Sequence, residues 1–198
     1  ARSALVFCHG LRNPFRFHVD ANSGALLIGD VGGSLFEEID EAHGGENFGW
    51  PLWEGDSARA DLCGLPTRPG RVPPVFSYPH AGVFGLVAVT GGPVYRRQGG
   101  PLQFEPACEG SLFLADIYAG DLRRLAPRPG GGWSVADSLP GQPDAARWAT
   151  GLPGITQMRV GPDGGLYLTR LFDGDFRRII KATASGVAVD RSEEHTSE

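Results

Sequence analysis

Gly110-Ser-Leu-Phe-Leu-Ala-Asp116, followed by Gly120-Asp-Leu-Arg-Arg-Leu125, returns fifty-four residues later as Gly164-Gly-Leu-Tyr-Leu-Thr-Arg170, followed by Gly174-Asp-Phe-Arg-Arg-Ile179. A looser copy, Gly24-Ala-Leu-Leu-Ile-Gly-Asp30 with Phe36-Glu-Glu-Ile39, stands nearer the start. Each copy is a short apolar run, a turn holding Gly or Asp, and a second short run, which is the pattern of a β-hairpin. Asp20-Ala-Asn-Ser-Gly24 and Gly161-Pro-Asp-Gly-Gly165 sit just ahead of two of the apolar runs. In the second of these, Pro fixes φ and Gly takes a positive φ, so the chain turns before each strand begins. Repeats of ~40–50 residues, each a small antiparallel sheet, are the mark of propeller blades. The chain therefore reads as all-β, with roughly three blades of a closed ring.

Composition agrees with that reading. Thirty Gly and sixteen Pro in 198 residues favour many short strands over long helices, and 41% hydrophobic residues suffice for a packed core rather than a disordered chain. A net charge of -5 with no basic stripe argues against a nucleic-acid partner. No apolar run reaches the ~20 residues of a membrane span. Cys8, Cys63 and Cys108 are odd in number and lack metal-ligand spacing. They leave two options open, one disulfide with a free thiol or three free thiols.

The last eight residues, Arg191-Ser-Glu-Glu-His-Thr-Ser-Glu198, match the in-frame translation of a common sequencing-library adapter. The expected organisation is thus a partial propeller over residues 1–190 and a translated artefact over 191–198. The tail carries three acids and one arginine, so without it the net charge goes from -5 to -3. The absence of an initiator Met leads to the expectation that the start is also a truncation. A partial ring would expose open sheet edges and fold poorly alone.

Between the first two copies, residues 49–78 are rich in Pro, Gly, Asp and Arg and read as a long insertion loop on one face, either functional or merely solvated. Arg96-Arg97, Arg123-Arg124 and Arg177-Arg178 read as charges at blade edges. Trp50 and Trp53 read as loop anchors ahead of sugar-stacking rings, and Asp116 as a residue ordering the mouth of a channel.

Several short motifs then fall in one order: Gly10-Leu-Arg-Asn-Pro14, Gly29-Asp-Val-Gly32, Glu37-Glu-Ile39, Asn47-Phe-Gly-Trp-Pro51, Val89-Thr-Gly-Gly-Pro-Val-Tyr95 and Gly161-Pro-Asp-Gly164. In this series the chain resembles the soluble PQQ-dependent sugar dehydrogenases (glucose/sorbosone and aldose sugar dehydrogenases), whose propeller also occurs in hedgehog-interacting-protein-like extracellular proteins. The resemblance implies the C-terminal part of a six-bladed β-propeller, with PQQ and calcium at the mouth of its central channel. It implies hydride transfer from the anomeric carbon of an aldose to the quinone, an electron acceptor of unstated identity, and a periplasmic or secreted location.

Carried over residue by residue, the resemblance makes Arg12 and Asn13 donors to PQQ, and arginine suits carboxylates through paired hydrogen bonds. The backbone carbonyls of Gly32 and Gly33 would hold the PQQ-bound calcium. A second, structural calcium would use the Glu38 carboxylate, with Glu37 as a further candidate, and the Phe48 carbonyl. No catalytic residue is assigned, because the family's general-base His belongs upstream of Gly10, and His9 and His18 do not replace it. The family's Lys and two Arg of later blades align with Tyr118, Gly154 and Thr156. Two functions follow: a piece of a PQQ-dependent aldose dehydrogenase, or a propeller of the same lineage without cofactor that binds a carbohydrate or protein.

Overall fold

A computed structural model of the chain describes residues 5–59, 64, 69–80 and 86–180, and the backbone of 189–191. Its frame is three four-stranded antiparallel sheets. The first joins β1 (Pro14–Val19), β2 (Leu26–Asp30), β3 (Phe36–Ala42) and β6 (Phe76–Pro79), with a small hairpin of β4 (Trp53–Glu54) and β5 (Ser57–Ala58) inserted before the last strand. The second holds β7 (Val89–Val94), β8 (Leu112–Asp116), β9 (Leu122–Pro127) and β10 (Trp133–Val135). The third holds β11 (Ile155–Val160), β12 (Leu166–Arg170), β13 (Phe176–Ile179) and β14 (Val189–Arg191). Within each sheet spatial order follows chain order, as in a propeller blade. Among the described residues the helical content is one 3₁₀ turn, Pro106–Cys108.

The three copies of the repeat land on the second and third strands of the three blades. On β8, Leu112 and Leu114 face the first blade and pack with Leu27, Ile39 and Val89. Phe113 and Ala115 face the third and pack with Leu152, Ile155, Leu166 and Leu168. Alternation along one strand thus feeds two cores, one between each pair of blades. A third, smaller cluster of Ile28, Ala42 and Phe48 covers the far face of the first blade.

The inner strands β1, β7 and β11 approach through backbone. A Cβ on Gly29 would lie 2.6 Å from the amide nitrogen of Gly91, and one on Gly91 would lie 2.7 Å from the carbonyl oxygen of Arg16. Thr90 Oγ1 donates to the Ile155 carbonyl at 2.8 Å, and a Cβ on Gly92 would meet the Met158 side chain, so β7 and β11 run the same way. Val89 N–H, at the start of β7, donates to Glu37 beside the β2–β3 turn, and that turn lies next to Pro14 at the start of β1, so all three inner strands begin on one face, the entrance face. The loops at 10–13, 31–35, 117–121, 150–154 and 171–175 gather there.

Two expectations need correction. Residues 49–78 are not a loop throughout: the described ones include the β4–β5 hairpin and run into β6, the fourth strand of the first blade. The paired arginines at 123–124 are not at a blade edge. Arg124 is buried and donates to the carbonyls of Ala107 and Asp137, while Arg123 lies 4.4 Å over the Tyr78 ring. Cys8 and Cys108 are free thiols; Cys63 and residues 192–198 of the tail lie outside the described residues.

Candidate functional site

Arg12 and Asn13 stand on the entrance face just before β1. Their backbone N–H groups donate to the two oxygens of Asp30, at 2.8 and 2.6 Å. Asp30 ends β2 and is buried, which pushes its carboxyl up despite the two N–H donors. This anchor leaves both side chains exposed. The Arg12 guanidinium donates to the Val31 carbonyl at 2.9 Å and lies 5.4 Å over Trp50. Trp50 also carries the Arg59 guanidinium at 4.7 Å, and Trp53 carries Arg71 at 4.4 Å. Both tryptophans are engaged by cations.

Gly32 is buried, and a Cβ there would stand 1.7 Å from the Phe36 carbonyl oxygen, so this tight turn requires glycine. Gly33 is exposed beneath Arg12, whose Nε is 3.2 Å from a Cβ built there. Under this turn sits Glu54, which sequence reading did not single out. Its Oε1 accepts from the N–H groups of Gly33, Ser34, Leu35 and Phe36 at 2.7–3.2 Å. Burial pushes the Glu54 carboxyl up, but these donors outweigh it and hold it below its ordinary value. Its other oxygen, Oε2, is buried without a hydrogen-bond partner.

Strand alternation divides the acids of β3 between two faces. Glu38 and Asp40 share the far face with Asp30, and the register pairs Asp30 with Glu38 and Ile28 with Asp40. Gly55 N–H donates to Glu38 at 2.5 Å. Burial, with Asp30 nearby, raises the Glu38 carboxyl to about 7. Asp40 is fully buried, and neither of its oxygens has a hydrogen-bond partner. Burial and the charges of Glu38 and Asp30 push it well above its ordinary value. Phe48 packs on this face with Ile28 and Ala42, its N–H fixed by the His9 carbonyl at 2.9 Å. Among the described residues no three His, Cys, Asp or Glu side chains converge to hold a metal by themselves.

Glu37 points the other way, so it does not join Glu38 at one ion. It accepts from Gly32 N–H at 3.2 Å and Val89 N–H at 2.8 Å, and burial raises it to about 7. His80 Nε2 lies 2.6 Å from Glu37 Oε1, in a close contact without hydrogen-bonding direction. Asp116 accepts from Tyr78 Oη, Ala88 N–H, Tyr118 N–H and Ala119 N–H, and so fixes the entrance-face turn between β8 and β9. His9 Nδ1 lies 2.8 Å from the Glu46 carbonyl, a structural contact. At the positions aligned with the family's cations, Tyr118 and Gly154 present a ring and a turn. The Thr156 carbonyl accepts from Arg16 Nε at 2.7 Å.

The family model for glucose/sorbosone dehydrogenase matches residues 1–178. The chain belongs to that family. Among curated relatives of this chain, the HIPL2 protein of Arabidopsis thaliana is 28% identical over 142 residues, covering 68% of this chain and 20% of the relative. A crystal structure of a glucose dehydrogenase is 25% identical with a TM-score of 0.56, covering 91% of this chain and 47% of that one. The PQQ-bound aldose sugar dehydrogenase of Streptomyces coelicolor is 18% identical with a TM-score of 0.53, covering 93% of this chain and 44% of that one, and supports the fold alone. This chain spans about a fifth of the plant relative and less than half of each structure. The all-β partial propeller is thus established, within a family of sugar dehydrogenases.

Some of the site was within reach of sequence. Asp40 lies two residues beyond Glu38, and period-two alternation puts both on one face. Glu54 carries no such signal, because it sits in a two-residue strand whose position depends on the folded loop.

Proposed function

We propose that this chain is part of a PQQ-dependent aldose dehydrogenase of the periplasm or the extracellular space. The observation that carries the proposal is the exposed Arg12 guanidinium, fixed on the entrance face by Asp30 through the backbone and by Trp50 through its ring. A cation held in place before the ligand arrives binds an anion with little reorganisation. Arg12 would clamp a PQQ carboxylate with paired hydrogen bonds, and Asn13 would donate its amide beside it. PQQ, when bound, accepts the hydride released from the anomeric carbon. The proton acceptor is assigned to a His outside this chain.

Calcium fits the acids present. Asp40 offers two buried oxygens without partners, Glu38 adds a third carboxylate oxygen nearby on the same face, and the Phe48 carbonyl would complete a hard-oxygen set. Near the entrance, the Gly32 and Gly33 carbonyls would hold the PQQ-bound ion, with the partnerless Glu54 Oε2 under the same turn. Titration of the calcium-loaded protein with PQQ, followed by quinone absorbance, tests the assignment. Arg12→Ala is expected to weaken binding at least tenfold; unchanged binding would contradict it.

A second reading has its own support. Tyr118, Gly154 and Thr156 supply no cation where the family resemblance expects three. A cofactor-free propeller that binds carbohydrate would take up calcium but not PQQ.

A further inference from the structure

Tyr118, Leu171 and Phe172 are exposed apolar side chains on the entrance face, 47%, 64% and 53% accessible. They come from equivalent turns of two blades, β8–β9 and β12–β13. The two rings lie 6.2 Å apart at 36°. Backbone hydrogen bonds fix the turns that carry them. Gly154 N–H donates to the Ile117 carbonyl at 2.6 Å, and Leu171 N–H donates to the Gly154 carbonyl at 2.7 Å. Asp116 fixes Tyr118 and Ala119 from below at 2.9 and 2.8 Å. Gly154 adopts φ +85, and a Cβ there would stand 3.0 Å from the Phe172 ring, so the glycine makes room for that ring.

We propose that Tyr118 and Phe172 form a platform that receives the apolar face of a pyranose ring at the channel mouth. This rests on the sugar-dehydrogenase reading and adds to it the residues that hold the sugar. Two rings and a leucine make too small a patch for a stable protein interface, which needs ~800 Å² per partner. They suit one small ligand with an apolar face and a polar rim. The polar rim is present. Asp173, half exposed beside Phe172 and paired with Arg170 and Arg177, would offer its carboxylate as an acceptor to a sugar hydroxyl. The neighbouring Arg170 and Arg177 are already paired with Asp173 and Asp175, so the patch offers no unpaired cation for an acidic ligand. Thr156, two residues beyond Gly154, joins the platform to Arg16 at the inner strands.

The test is saccharide binding by saturation-transfer NMR with D-glucose and maltose, on the intact protein to which this chain belongs and on its Phe172→Ala and Phe172→Tyr variants, alongside aldose-dependent dye reduction. Phe172→Ala should weaken binding at least fivefold and raise KM with kcat unchanged, because stacking holds substrate and transition state alike. Phe172→Tyr should retain affinity. Phe172 is exposed, so matching melting temperatures will show that the variants fold. Dye reduction with unchanged affinity and KM in Phe172→Ala overturns the platform and leaves the dehydrogenase reading standing. Ring-dependent saccharide binding without dye reduction supports the platform and overturns the dehydrogenase reading. No saccharide binding by the unmodified protein overturns the platform.

Discussion

Arg16 of β1 donates its Nε to the carbonyl oxygen of Thr156 on β11 at 2.7 Å, joining the inner strands of the first and third blades past the strand between them. Arg16 holds φ at +63, the one non-glycine residue with positive φ among those described, and its guanidinium lies 4.5 Å over Phe15. A left-handed backbone costs an L-residue about 1–2 kcal/mol, so the contact holds a strained residue in place. Arg16→Ala keeps the strain and loses the bond, and should lower stability by about 1 kcal/mol in urea unfolding. Arg16→Gly loses the same bond but relieves the strain, and should recover most of that loss. Equal losses in the two variants would show that the strain is not stored there.

The close approach of β2 and β7 gives a sharper prediction. A Cβ on Gly91 would meet backbone atoms of both Arg16 and Gly29 within 2.8 Å, and backbone cannot swing aside as a side chain does. Gly91→Ala should therefore cost about 2–3 kcal/mol by forcing two blades apart. Gly99→Ala, at a loop glycine with open space around it but φ +76, should cost only about 1 kcal/mol. Thermal unfolding of the two variants separates crowding from backbone strain.

Asp20 and Arg96 tie the first blade to the second through a two-point contact. Arg96 Nη2 reaches both Asp20 oxygens at 3.0 and 2.9 Å, and Ser23 Oγ donates to Oδ2 at 2.8 Å. Burial pushes the Asp20 carboxyl up, but the Ser23 and Arg96 hydrogen bonds outweigh it and hold it below its ordinary 3.8. A depressed carboxyl contributes stability above its unfolded pKa and loses it as pH falls through the folded value. Stability should thus decline below about pH 4 with a component that disappears in Arg96→Leu. That variant should also lose about 2 kcal/mol at pH 7, since it leaves Asp20 buried without its cation.

Asp40 links the proposed calcium to the fold. Two partnerless carboxylate oxygens in a buried cluster with Glu38 and Asp30 are costly, and a divalent cation bound only by the folded chain offsets that cost. Calcium should raise the melting temperature and EDTA should lower it. Asp40→Asn should abolish most of this response, because the amide neither carries the charge nor binds a hard cation as well. A melting temperature indifferent to EDTA in the unmodified protein would count against Glu38, Asp40 and Phe48 as its ligands.

The outer and inner halves of each blade were unequally legible in sequence. The second and third strands pack through side chains, so their alternation wrote the repeat that gave the fold: Leu112 and Leu114 to one core, Phe113 and Ala115 to the other. The inner strands pack partly through backbone. Val89-Thr-Gly-Gly-Pro-Val94 contains a Gly-Gly-Pro that resembles a turn, yet all six residues are buried in β7, because glycines are what let neighbouring blades touch. The same limit applied at the site. Arg12 and Glu38 stand in recognisable motifs. Glu54 and Arg16 became visible only when loops and blades distant in sequence were brought together.

On the proposed function, this entrance face serves a quinone-dependent sugar oxidation. Loading the intact protein to which this chain belongs with PQQ and calcium, then following aldose-dependent reduction of a dye, is the direct test. Turnover that is lost in Arg12→Ala is the expected result. Calcium uptake with no PQQ binding and no dye reduction would contradict the claim and leave a propeller that binds its ligand without transforming it.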